Sequence, residues 1–196
     1  VAVVLLAGTL ACQYLLNAVG EQRITERARR MMRPLSLLFL AAFLSFLGAL
    51  LVSTGWSYDA SGVVAAEPYK YLHNLLQMPL VSVVMLIGVV LVLASILLGW
   101  RGSRKAIWLG GSGTVLTVLA LLLCAGWNNT AYYPSLVDMQ SSLTIANSSS
   151  SEFTLRVMAY VSLLIPFVLA YIWYAWRSLN RRPVTSEELR DEEHSY

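Results

Sequence analysis

Long apolar runs alternate with short polar connections along this chain, and five of the runs are long enough to be read as membrane helices. Crossing the hydrocarbon takes about 20 mostly apolar residues in a helix. Val1–Val19, Leu35–Trp56, Pro79–Trp100, Ala106–Trp127 and Leu155–Trp176 meet that length. Backbone N–H and C=O groups in lipid must be satisfied within the segment, so each run is expected as a continuous helix. Pro166 removes one ladder bond and is expected to kink the fifth. Two spans carry small residues every third or fourth position: Ala41, Ser45, Ala49 and Ser53 on the second, and Gly110, Gly113, Thr117, Ala120 and Cys124 on the fourth. Such stripes let backbones approach closely. The expected fold class is therefore an all-α integral membrane protein. Five transmembrane helices pack as a helical bundle over residues 1–183, without a water-filled channel, and residues 184–196 form a tail.

The connections differ sharply in charge. Arg23, Arg27, Arg29, Arg30 and Arg33 follow the first span, Arg101, Arg104 and Lys105 follow the third, and Arg177, Arg181, Arg182 and Arg190 follow the fifth. Only Lys70 and Arg156 fall in the other connections. The positive-inside rule puts the Arg-rich connections in the cytoplasm, the N-terminal end outside and the C-terminus cytoplasmic. Composition agrees: 57% of residues are apolar and 13% charged, against about a quarter charged in soluble domains. The basic balance does not point to nucleic acid, because the Arg residues lie beside apolar spans with no base-stacking aromatics on a soluble face. Trp56, Tyr58, Trp127, Tyr132, Trp173 and Trp176 collect where spans meet water and read as interfacial belts. The opening "VAVVLLAGTLAC" has no Met and no positive n-region of a secretory signal; it reads as a fragment of a longer chain.

Little in the chain can do chemistry. All eleven carboxylates lie in connections or the tail, whereas an ionisable group inside a span would be a functional candidate. Tyr14, Asn17, Ser45, Ser82 and Thr114 are read as satisfying nearby carbonyls or packing. His73 and His194 fall on opposite faces and cannot share a metal. His73 and Met78 are residue types that ligate haem, but an interfacial helix with an ordinary His is the simpler reading. Cys12 and Cys124 differ in depth by roughly 15 Å at 1.5 Å per residue, too far for a disulfide. The "NNT" at Asn128 and "NSS" at Asn147 match the glycosylation pattern by accident in a chain read as bacterial. Thr185 and Glu188 suggest a capping box in the tail. The sequence assigns no catalytic, cofactor-binding or metal-ligating residue to this chain.

One stretch is unusual: "YYPSLVDMQSSLTIANSSSSEFTLRVM", Tyr132 to Met158, rich in Ser and Thr and almost free of charge. Its Pro134-Ser135 step, Ser142-Leu143-Thr144, the Ser148–Ser151 run and Thr154-Leu155 resemble the last outer loop and final helix of subunit II of cytochrome bd-type quinol oxidases. "QYLLNAVGE" before an Arg-rich loop is similar to the family's fifth-helix end, and "TSEELRDEEHSY" to its cytoplasmic tail. Ile145-Ala146-Asn147 stands where the family often has an aromatic–acid pair. The resemblance covers the chain in order and implies the C-terminal half of the subunit, in the bacterial inner membrane. It implies a haem-bearing partner, subunit I, with haem b and haem d, which oxidises ubiquinol, reduces oxygen to water and builds a proton gradient. Subunit II binds no haem and supports that partner; a structural quinone, membrane lipid and a small single-helix accessory subunit are further implied ligands and partners. The alternatives are half of a secondary transporter, whose site would lie at a helix break near mid-membrane, and a membrane assembly or scaffold protein.

Overall fold

A computed structural model describes residues 1–179; His194 and the Thr185/Glu188 capping box lie outside the described residues. Helices α1 (Ala2–Ala18) and α2 (Gln22–Val52) form one antiparallel pair, α4 (Pro79–Trp100) and α5 (Ala106–Gly126) another. Each buries one stripe at helical spacing. Thr9, Cys12, Gln13 and Leu16 line it on α1, and Ala28, Met32, Ser36 and Phe39 on α2. Gly88, Val92, Ser95, Ile96 and Gly99 line it on α4. Beyond the Arg-rich start of α2 the remaining circumference is mostly apolar and outward-facing.

The stripe on α5 packs as expected. Gly110, Gly113, Thr117, Ala120 and Cys124 are all buried, and a Cβ on Gly113 would sit 2.8 Å from the carbonyl oxygen of Gly88. The corresponding stripe on α2 does not pack: Ala41, Ser45 and Ala49 face outward. The hydroxyls of Ser45 and Ser53 donate to Ala41 O and Ala49 O of their own helix. α2 meets α1 instead through the face carrying Met32 and Phe39, whose bulk fills the wider gap.

Other expectations shift in detail. α2 starts at Gln22 rather than Leu35, with Pro34 inside it. Arg is a good helix former, and the bond lost at Pro34 falls at the polar end of the helix, where water substitutes. The fifth span is broken rather than kinked. α7 (Glu152–Ser162) ends in tightened i→i−3 bonds from Leu163 and Leu164, and α8 (Ile165–Leu179) begins with Pro166 in its first turn, where a missing N–H costs least. Among the described residues four segments are long and apolar enough to cross a membrane: α2, α4, α5 and α7–α8 together. α1, with 17 residues, is shorter, about 26 Å at 1.5 Å per residue. α7–α8 buries no residue and leans on the bundle at Trp176, whose ring stacks 6.3 Å from Tyr14 and meets Trp108 edge-on at 6.4 Å.

The architecture is mostly but not purely helical. Strands β1 (Gly55–Tyr58) and β2 (Val64–Glu67) form an antiparallel hairpin with Gly55 opposite Glu67 and Tyr58 opposite Val64. At its turn, Asp59 Oδ1 accepts from the N–H groups of Ser61 and Val63, and Gly62 takes φ +83°. Those bonds, led by the Ser61 hydroxyl, hold the Asp59 carboxyl below its ordinary range. Strand alternation was hidden in the sequence because both strands are only four residues long. The short helix α3 (Lys70–Gln77) then returns the chain to α4.

Candidate functional site

Two polar assemblies stand out, one at each level of the bundle. The first is a cap at the end opposite the Arg-rich connections, made by the hairpin, α3 and the segment after α5. Asn74 of α3 is its centre and is completely buried. Its Nδ2 donates to Cys124 O at 2.8 Å and to Thr130 Oγ1 at 2.7 Å. Its Oδ1 accepts from Asn128 Nδ2 at 3.0 Å, and Asn128 also donates to Gln77 Oε1 at 2.6 Å. Asn128 and Asn129 sit at φ 56° and 54°, the left-handed region that Asn tolerates best among non-glycine residues. The turn they make brings Tyr58 N to Asn129 O and Ala131 N to Trp56 O, joining this segment to β1.

The Ser/Thr-rich stretch folds back on itself over this centre. Tyr133 and Leu143 pair as a bridge, and Ser142 Oγ, buried, accepts from Ser135 N at 3.0 Å. Helix α6 (Ile145–Ser148) carries a complete capping box: Thr144 Oγ1 accepts from Asn147 N, and Asn147 Oδ1 accepts from Thr144 N. Gln140 binds both backbone groups of Val64, at 2.9 and 2.8 Å, and so fastens the stretch to β2. Uncharged hydroxyls and amides thus satisfy a backbone that has no sheet or long helix to do so. Asn128 and Asn147, the two matches to the glycosylation pattern, have their side chains engaged inside this network.

Two carboxylates of the cap, Asp59 and Asp138, sit in turns; its other charges gather in one cluster. Lys70 is buried and its Nζ lies 3.0 Å from Glu67 Oε2; His73 Nδ1 lies 2.9 Å from Glu67 Oε1. The hydrogen bond from His73, followed by that from Lys70, holds the Glu67 carboxyl below its ordinary range against the opposing effect of burial. Burial pushes the Tyr71 hydroxyl up. Among the described residues no group of three His, Cys, Asp or Glu is arranged to hold a metal. The His73 ring is tied to Glu67, and Met78 forms the joint between α3 and α4. Cys12 and Cys124 are separate buried thiols, as their depths require.

The second assembly lies within the bundle. Gln13 of α1 is completely buried between α4 and α5; its Nε2 donates to Ser95 Oγ at 3.2 Å, while Oε1 has no hydrogen-bond partner. Gly110 makes room for it, since a Cβ there would be 2.5 Å from Oε1. Gln13 was passed over in the sequence, although a lone amide inside "LACQYLL" is a readable signal. Ser45, Ser82 and Thr114 donate to backbone carbonyls, as expected of them. Toward the cap end a groove of about 510 Å³ opens between α1, α2, α4 and α5, lined by Leu6, Phe39, Phe43, Val92, Thr117 and other apolar residues. Its hydroxyls, on Thr114 and Thr117, are both committed to Gly110 O and Gly113 O.

The model of the cytochrome bd terminal oxidase subunit II family matches residues 1–179 of this chain. Subunit 2 of the cytochrome bd-I ubiquinol oxidase of Escherichia coli (strain K12) is 30% identical over 193 residues, covering 92% of this chain and 50% of that protein. The proteins of the same name from Escherichia coli O6:H1 and O157:H7 match with the same figures. The chain spans about half the length of these curated relatives. It belongs to the cytochrome bd terminal oxidase subunit II family.

Proposed function

We propose that this member of the cytochrome bd subunit II family is the C-terminal half of the haem-free subunit of a ubiquinol oxidase. The single observation that carries the reading is the family match from residue 1 to residue 179, through every span and the cap. The partner, subunit I, carries haem b and haem d, oxidises ubiquinol and reduces oxygen to water with formation of a proton gradient; this chain supports it and supplies no catalytic group. The absence of any carboxylate or histidine from the apolar spans of the sequence supports a supporting rather than a proton-carrying role.

In this reading all five spans cross the bacterial inner membrane, the Arg-rich connections face the cytoplasm and the cap faces outward. Residues 1–183 make the membrane part and 184–196 a cytoplasmic tail. The clustering of both Arg-rich connections at one end of the bundle supports that sidedness: Arg29 of the first reaches Trp100 O beside the second. Between residues 132 and 151 Asp138 is the one charged side chain, and the rest of that Ser/Thr-rich surface suits a dry contact with subunit I. A structural quinone or lipid chain suits the apolar groove by its tail; with both threonines committed, the groove offers no hydroxyl to a quinone carbonyl.

The test is to tag the C-terminus, solubilise the membranes gently, purify, and record a reduced-minus-oxidised spectrum. Haem d absorption that rises in proportion to the tag is expected. A colourless complex, intact on a native gel, overturns the reading.

A further inference from the structure

The Arg-rich end carries a depression of about 460 Å³ between the α1–α2 turn and the α4–α5 turn. Its apolar wall is Leu16 and Val19 of α1; its polar wall is Glu26 and Arg29 of α2 with Gly102 and Arg104 of the second turn. Arg29 is fixed in place. Its Nε donates to Trp100 O at 2.8 Å at the C-terminal end of α4. Gly102, at φ +79°, makes the turn beneath the guanidinium, where a Cβ would stand in ordinary contact, 3.7 Å from Nη1. That bond uses Nε and leaves both terminal nitrogens of the fork without a partner among the described residues. Glu26 lies one turn before Arg29 and four residues before Arg30, spacings at which helix ion pairs meet. Among the described residues it nevertheless makes no ion pair, and its hydrogen bond is a long one, 3.5 Å from Gln22 Nε2.

Two guanidinium groups and one unneutralised carboxylate therefore surround a single depression, at the level where an apolar helix surface gives way to polar turns. We propose that it binds the headgroup of a zwitterionic phospholipid bearing a primary ammonium. The phosphate sits on Arg29 and Arg104, the ammonium on Glu26, and the acyl chains leave past Val19 onto the exposed apolar surface of α1. A planar guanidinium fork held by its Nε presents its remaining N–H groups to phosphate oxygens in fixed geometry. Glu26 disfavours a purely anionic headgroup. A choline headgroup has no N–H to give it. The inference rests on this end of the bundle lying at the membrane–water boundary.

The experiment uses the complete oxidase complex, purified in mild detergent, stripped of lipid and examined by native mass spectrometry. Phosphatidylethanolamine, phosphatidylglycerol and phosphatidylcholine of identical acyl chains are added back, and inorganic phosphate is tested separately. Phosphatidylethanolamine should be retained best. Arg29→Gln and Arg104→Gln should each weaken its retention about tenfold, the worth of one charge-assisted hydrogen bond. Glu26→Gln should abolish the preference for ethanolamine over choline, and Arg23→Gln, outside the depression, should change nothing. Phosphatidylglycerol held as tightly as phosphatidylethanolamine overturns the proposal, as does retention indifferent to Arg104→Gln and Glu26→Gln. Inorganic phosphate competing the lipid away at equal concentration assigns the depression to a free anion and overturns the lipid reading. Should Arg29→Gln fail to assemble, Arg104→Gln and Glu26→Gln carry the test alone. The haem spectrum of the same preparation is read independently, so a colourless complex that retains the lipid refutes the oxidase reading and leaves this one standing.

Discussion

Replacing Gly113 by Ala should loosen the closest helix crossing in the protein, while the same change at Gly111, two residues away, should not. A Cβ on Gly113 would lie 2.8 Å from Gly88 O, 2.8 Å from Val92 N and 2.8 Å from Leu91 Cβ. Two of those obstacles are backbone atoms of α4 and cannot rotate aside. Reaching the 3.4 Å of ordinary contact means parting α4 from α5 by about 0.6 Å, and a close-packed interface loses dispersion along its whole length when it opens. Overpacking of this kind costs about 1–3 kcal/mol, set against about 1 kcal/mol of helix propensity gained from Gly to Ala. Against the wild type the net loss is up to about 2 kcal/mol, or roughly 4–8 °C in melting temperature at that upper end for a chain of this size. Against Gly111→Ala, which shares the propensity gain, the whole overpacking cost of about 1–3 kcal/mol is read. At Gly111 nothing lies within 4 Å of the new methyl, so only the propensity gain remains. The assay is the thermal melt of the detergent-solubilised complex, followed by size-exclusion of the surviving fraction. If Gly113→Ala melts with or above Gly111→Ala, the close approach is not what holds this pair together.

Asn74→Leu deletes three buried hydrogen bonds and leaves Cys124 O, Thr130 Oγ1 and Asn128 Nδ2 without their partner; a loss of about 3 kcal/mol is expected, read as faster proteolysis within residues 127–151. Gln140→Ala frees both backbone groups of Val64, so hydrogen exchange at the Val64 amide should accelerate about tenfold while that at Ala131 stays slow. The Glu67 carboxyl is held below its ordinary range by His73 and Lys70; a lowered folded-state value means stability present above about pH 4.3 and lost as pH falls through the folded value. The cap of the wild type should therefore melt progressively earlier below that pH. Glu67→Gln should flatten this part of the profile, and an unchanged slope would remove Glu67 from the account.

How far the sequence disclosed this molecule depended on the range of the interaction involved. The spans were legible because lipid imposes a length and a composition on each segment by itself. The α5 stripe was legible because Gly110 and Gly113 recur at helical spacing whatever they face. The partner of a stripe was not legible. Ala41, Ser45 and Ala49 have the same spacing and face outward, because α2 presents the face carrying Met32 and Phe39 to its neighbours.

The cap was the hardest part to see. Its strands are four residues each and its centre, Asn74, looks like an ordinary polar residue in "YLHNLLQ". The bonds that tie its parts together join residues far apart in sequence: Asn74 with Thr130 and Gln140 with Val64 in the cap, as Gln13 with Ser95 in the bundle. Yet the stretch did announce itself by composition. A segment that must bury backbone beside a membrane without regular structure needs donors and acceptors that carry no charge, and Ser, Thr, Asn and Gln are the residues that supply them. The resemblance to a family located the stretch; the hydrogen bonds of Ser142, Thr144 and Asn147 give the physical reason for it. The side chain that closes the capping box at residue 147 is a neutral amide. Its Oδ1 accepts from Thr144 N, its Nδ2 donates to Ser142 O at 2.9 Å, and it brings no charge to a surface proposed to lie against a partner.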